Sequence, residues 1–191
     1  MLAAFAHPVF DSQRSFRELL QAMARPAAPR ALPVLPPAPA PIAPAAMAIL
    51  LTLCDATTTV WLQQPEQEAV RHLQFHTGLK RVDKPQDADF ALVTDPFSMP
   101  PLHAFARGDL RYPDRSASLI MQVSAFRTEG QARFAGPGIR TSETLAIDGL
   151  PGDFWQQRTA LAPQLPLGID VYFVAGQQVV GLPRTTRLLE G

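Results

Sequence analysis

The sequence predicts an α/β protein, and three observations carry that reading. Apolar residues recur at helical spacing in some segments. Short β-branched or aromatic runs lie between those segments, and glycine or proline marks the joints. With 191 residues against a typical ~150 per domain, the chain reads as a single domain over 1–191.

The first helix is expected after Asp11 or Ser12, either of which can cap it, with Phe16, Leu19, Leu20 and Met23 as its inner stripe and Pro26 as its stop. Residues 26–44 hold 8 of the 20 prolines among alanines and aliphatics. This segment predicts an extended Pro/Ala-rich run that packs along a surface. Pro44 suits the first turn of a second helix, which is apolar all round from Ala45 to Cys54 and so expected to be buried. Thr57–Leu62 reads as a strand. A third helix follows from Pro65 and Glu66, with Ala69, Val70 and Leu73 inward and Gly78 as its terminator. Further strands are expected at Phe90–Thr94 and Leu119–Phe126, then a turn at Thr128–Gln131 into Ala132–Ala135. Gly136, Pro137 and Gly138 punctuate the next step. Leu145 and Ile147 suggest another strand and Phe154–Leu161 a helix. Ile169–Val174 is a strongly apolar strand that turns at Gly176 into Val179–Leu182.

Composition excludes several classes of function. The 17 basic and 17 acidic residues cancel, leaving no electrostatic footprint for nucleic acid or an anionic membrane. The single cysteine, Cys54, forms neither an internal disulfide nor a thiolate cage. No cationic, apolar leader opens the chain, and the most apolar stretch falls far short of the roughly 20 residues that span a bilayer. A soluble, cytoplasmic protein is the expectation.

Candidate chemistry is sparse. His72 and His76 stand four apart on a helix, a spacing that lets two imidazoles share a metal, but Leu73 occupies the place of a zinc hydrolase's glutamate. The preferred reading makes His76 a packed or hydrogen-bonding residue and His72 a surface one. Cys54 closes an apolar helix, where thiols are inert core. The glycines around Pro137 fit neither a phosphate loop nor a dinucleotide fingerprint. Lys80 and Lys84, the only lysines, lie in a polar stretch that gives weak support to a Schiff base. The richest cluster is Arg184, Thr185, Thr186 and Arg187, two guanidinium groups and two hydroxyls suited to gripping an anion or a partner subunit. An extended backbone there would turn Arg184 and Thr186 one way and Thr185 and Arg187 the other, so that one arginine at most joins a given pocket. Asp170, at the start of a buried strand, needs a partner, and an arginine suits.

The residues also carry a resemblance. Phe5 to Pro26, FAHPVFDSQRSFRELLQAMARP, resembles the opening of the H-subunit family of the bacterial carbon-phosphorus lyase core complex. Leu50–Leu62 (LLTLCDATTTVWL), Phe75-His76-Thr77 and Pro166–Thr186 (PLGIDVYFVAGQQVVGLPRTT) agree in order. The likeness covers nearly the whole chain, with its specificity in the end blocks and residues 79–164 matched by order and length. After Pro26 the family usually carries glycine, whereas this chain has Ala27 and then the proline-rich segment.

The resemblance implies a three-layer α/β/α sandwich with a mixed sheet, similar to the large domain of pyridoxal-phosphate-dependent transferases but without that cofactor or any other, and without a metal. It implies an accessory, non-catalytic subunit in phosphonate catabolism, dimeric when alone. Together with the G, I and L subunits, such a subunit supports displacement of adenine from ATP by a phosphonate, giving α-D-ribose 1-phosphonate 5-triphosphate, before the J subunit cuts the carbon-phosphorus bond. The alternatives are a nucleotide- or phosphonate-binding module and an autonomous transferase on the same scaffold. Convergence of Arg184, Asp170 and His76 in the fold would favour those alternatives.

Overall fold

A computed structural model describes residues 2–129 and 132–189. Its elements run α1 (Pro8–Ala24), β1 (Arg30–Ala31), α2 (Pro44–Leu53), β2 (Thr59–Leu62), α3 (Gln67–Thr77), β3 (Lys80–Val82), β4 (Phe90–Val93) and β5 (Ser118–Gln122). They continue with β6 (Ala125–Arg127), β7 (Arg133–Ala135), β8 (Glu143–Thr144), β9 (Ala146–Asp148), α4 (Phe154–Leu161), β10 (Asp170–Ala175), β11 (Gln178–Leu182) and β12 (Arg187–Leu189).

Seven strands form one mixed sheet in the order β1-β11-β10-β5-β4-β2-β3. β3, β2, β4, β5 and β10 are mutually parallel, and β11 runs antiparallel to both β10 and β1. Both faces are buried, as continuous apolar runs in parallel strands require. Ile120, Tyr172 and Val174 point to the face covered by α1, α2 and α3. Leu119, Met121, Val171 and Phe173 point to the other, which is covered by α4, by turns around Leu102 and Phe105, and by the small sheets β12-β7-β8 and β6-β9. The second covering layer is therefore mostly short strands and turns, with one eight-residue helix.

The amino terminus differs from the sequence expectation. Pro8 occupies the first turn of α1, so the helix begins ahead of Asp11 and Ser12. Asp11 reaches back to accept the His7 backbone N–H at 2.9 Å, satisfying a donor at the helix start. The buried face is Asp11, Ser15, Leu19 and Ala22, so Phe16 and Leu20 leave the inner stripe and are 48% and 55% exposed. The cause lies in β11. A Cβ on Gly181 would stand 2.5 Å from the Ala22 carbonyl oxygen, so the missing side chain lets α1 rest on the strand through Ala22.

Segment 26–44 is extended from residue 28 to 39, including β1, between turns at residues 26–27 and 40–42, and it buries Leu32 and Ile42 in the core. Its return is held by Gln122, whose side chain accepts from the Ala43 N–H at 2.6 Å and donates to the Pro41 carbonyl at 3.2 Å. Leu119–Phe126 divides into β5 and β6, which belong to different sheets. Of the turn expected at Thr128–Gln131, residues 130 and 131 lie outside the described residues. Lys80, placed in a polar loop by its sequence, begins the edge strand β3.

Candidate functional site

Pro183–Thr186 is a turn, closed by the Thr186 N–H donating to the Pro183 carbonyl at 2.9 Å. The alternation expected of an extended segment does not apply. Arg184 and Asp170 come together: the Arg184 backbone N–H donates to Asp170 Oδ1 at 2.7 Å, and Nη2 meets Oδ2 at 2.6 Å. The same guanidinium donates to the Pro113 carbonyl at 2.7 Å and to Ser116 Oγ. Every arm of Arg184 is thus occupied in tying the turn to the amino-terminal ends of β5 and β10, and it is not free to grip an anion. His76 does not join them. It lies on α3, across the sheet, where its Nε2 sits 3.3 Å from the Leu2 carbonyl. Thr185 is exposed and lines no part of the cavity described next.

Beside the turn lies a cavity of about 120 Å³. One wall is a face of α4, since Trp155, Arg158, Thr159 and Ala162 follow the i, i+3, i+4, i+7 spacing of a helical stripe. The other wall is Thr186, Arg187 and Leu188, with the stem of Arg184 at the edge and Phe134 of β7 behind. The sequence reading allowed one of Arg184 and Arg187 at most to a single pocket, whereas both line this one, together with Arg158. Trp155 packs on Phe134 and Phe154 at ring separations of 5.3 and 5.1 Å, which fixes its position.

Two features of this cavity are electrostatic. Arg158 donates to the carbonyls of Ile169 at 3.3 Å, Leu182 at 3.1 Å and Pro183 at 2.5 Å, but no carboxylate lies within ion-pair distance among the described residues. Burial pushes its pKa down to about 10, with Asp170 opposing the shift through its charge. The Thr186 hydroxyl, on a residue only 5% exposed, has no hydrogen-bond partner among the described residues. The sequence reading missed Arg158, Trp155 and Thr159. Their common face on a correctly expected helix was the signal that could have found them.

A second position has a default claim on a ligand. The chain reverses its winding at β2 and β4, because α3 follows β2 on one face and the turns after β4 cover the other, and such crevices bind ligands in open α/β sheets. Here Gln63 fills the crevice. Its Oε1 accepts from the Thr94 and Asp95 N–H groups, both at 2.9 Å, and its Nε2 donates to the Asp95 carbonyl at 2.8 Å.

The remaining candidates are structural. His72 is buried at 1% exposure, reversing its expected surface placement, while His76 is partly exposed beside it with ring centres 4.5 Å apart. Position 72 shares the i, i+3, i+4 face of Ala69 and Leu73, and that face packs inward. Among the described residues no group of three His, Cys, Asp or Glu is arranged to hold a metal. Burial pushes the Cys54 thiol up to about 12, away from the reactive thiolate. Lys80 and Lys84 are exposed. No helix among the described residues is long and apolar enough to cross a membrane.

Comparison with known proteins follows the same plan along almost the whole chain. The chain is 37% identical over 190 residues to the alpha-D-ribose 1-methylphosphonate 5-triphosphate synthase subunit PhnH of Rhizobium meliloti strain 1021, covering 97% of this chain and 94% of that protein. It is also 37% identical over 81 residues, 42% of each chain, to HtxG of Stutzerimonas stutzeri, a protein named as a C-P lyase subunit. Residues 3–189 match the bacterial phosphonate metabolism protein family, PhnH, and the chain belongs to that family.

Proposed function

We propose that the chain is an accessory, non-catalytic subunit of an alpha-D-ribose 1-methylphosphonate 5-triphosphate synthase within a carbon-phosphorus lyase complex. The observation that carries the reading is the 37% identity to a subunit of that synthase over 97% of this chain. The site geometry supports it, because Arg184 and Asp170, the strongest charged pair near the cavity, hold two strands and a turn together instead of facing a substrate. Residues 1–191 act as one unit, as a cytoplasmic homodimer when alone and with the G, I and J subunits when at work, the L subunit being a functional partner. The three-layer sandwich akin to pyridoxal-phosphate-dependent transferases belongs to this reading, with no such cofactor bound. An assembly is favoured by α1, whose Val9, Phe16 and Leu20 form one exposed apolar stripe.

Complementation tests the proposal. A host lacking its own H subunit, supplied with this chain, is expected to regain growth on methylphosphonate as sole phosphorus source, and the tagged chain to co-purify with the other subunits. The purified chain alone is expected to release no adenine from ATP and methylphosphonate; release by the isolated chain would make it an enzyme in its own right.

A further inference from the structure

We propose that the cavity between α4 and the turn at Pro183–Thr186 binds a compact tetrahedral oxyanion carrying a short apolar substituent. The class follows from the walls. Arg158 is a cation whose hydrogen bonds all go to neutral carbonyls, and Arg187, exposed at the cavity mouth, has no ion-pair partner among the described residues. Two guanidinium groups without a paired carboxylate among the described residues leave a site that favours an anion. In the same lining the Thr186 hydroxyl is buried and has no partner among the described residues, a defect that native structures rarely tolerate without a cause.

These donors approach from three elements, the helix, the turn and the final strand. Three separated donors match the three oxygens of a phosphonate or phosphate better than the two of a carboxylate, which suits a single bidentate arginine. Most of the rest of the lining is apolar: Trp155, Phe134, Ala162 and Leu188 offer a surface to a carbon substituent, with the Thr159 hydroxyl and the stem of Arg184 beside them.

Size narrows the choice further. A water requires roughly 10–15 Å³ of such space, so a cavity of 120 Å³ takes on the order of ten water-sized groups. A small alkylphosphonate fits within it, whereas a nucleoside triphosphate, several times larger, would be mostly outside. Choosing a phosphonate over a short alkyl phosphate ester rests on the subunit reading above; the shared chemistry does not.

The full chain labelled with 5-fluorotryptophan provides the test, because its two tryptophans, Trp61 and Trp155, give separate fluorine resonances that a Trp61→Phe variant assigns. Titration with methylphosphonate is expected to move the Trp155 resonance saturably and leave Trp61 in place. Inorganic phosphate should bind at least tenfold more weakly, methyl phosphate comparably to methylphosphonate, and ATP without saturation. Arg187→Gln should weaken methylphosphonate at least tenfold, since a hydrogen bond to a charged group contributes about 1.5–3 kcal/mol. Thr186→Val should weaken it several-fold while melting at or above the wild-type temperature, an outcome that a merely structural threonine would not give. Absence of a saturable Trp155 shift, ATP or phosphate binding as tightly as methylphosphonate, or unchanged affinity in both variants would each overturn the site. A chain that restores growth but shows no Trp155 shift loses this site and keeps its place as a subunit.

Discussion

The two ends of the parallel strands treat their polar groups in opposite ways. At the carboxyl ends of β2 and β4, where open α/β sheets usually hold a ligand, the Gln63 side chain takes up two backbone donors and one acceptor of the Thr94–Asp95 turn. At the amino end of β10, among the described residues, Arg158 is without a paired carboxylate and the Thr186 hydroxyl is without a hydrogen-bond partner. Chain winding alone would direct attention to the first end. Hydrogen-bond satisfaction directs it to the second, because a preformed site must keep donors in reserve for its ligand. This mixed α/β sheet thus closes its customary crevice at one end of the strands and leaves donors in reserve at the other.

The largest expected effect breaks the closed end. Gln63→Leu preserves approximate volume but strips the acceptor from the Thr94 and Asp95 N–H groups. Each orphaned donor costs about 1–3 kcal/mol when buried, and partial exposure here puts the total near 2 kcal/mol. The midpoint of urea unfolding, with an unchanged slope, reports it. A loss below about 0.5 kcal/mol would mean that water replaces Gln63 freely, and the contrast between the ends would collapse.

How far the sequence foretold this contrast depends on which forces set each piece. α4 was legible at both limits because Phe154 to Leu161 is local in its signals. α2 was legible because an all-apolar helix has only one place to go. Edge strand β3 was not, since Lys80-Arg81-Val82 is polar and becomes a strand through parallel pairing with β2. The Arg184–Asp170 pair was half visible: an acid at the start of a buried strand calls for a cation, but the turn that delivers Arg184 is a tertiary arrangement. Gln63 gave no signal, because a glutamine reads as surface until the loop it serves is folded around it.

His72 provides a smaller test, and it separates an unpartnered group with no counterion role from those beside the α4 cavity. Neither ring nitrogen has a partner among the described residues, and burial, helped by the charge of His76, holds its pKa below the ordinary 6.5, while Glu68 pulls the other way. The unfolded chain therefore binds the proton first as pH falls. Stability from the neutral ring is complete above about 6.5 and declines as pH drops toward the folded value. Urea midpoints of wild type and His72→Leu at pH 5, 6, 7 and 8 are expected to show a steeper acid loss in wild type. Parallel profiles would mean that His72 takes its proton in the fold as readily as outside it.

The smallest expected effect lies at Ala27, the position that departs from the family's usual glycine. Its φ is 62°, in the left-handed region, and its N–H donates to the Gly181 carbonyl at 3.2 Å, close to the turn that borders the α4 cavity. An alanine there bears a backbone cost of roughly 1–2 kcal/mol that glycine would not. Against this, Ala27 is 3% exposed, and its methyl contributes about 0.8 kcal/mol of burial, while glycine brings an added chain-entropy cost of about 0.5–1 kcal/mol. The opposing terms nearly cancel, so Ala27→Gly should shift stability by less than about 0.5 kcal/mol, read from the same urea midpoints. A gain well above 1 kcal/mol would show that the methyl packs loosely and that this end of the sheet is strained. A loss of that size would show that the methyl is tightly packed and that its burial outweighs the backbone cost.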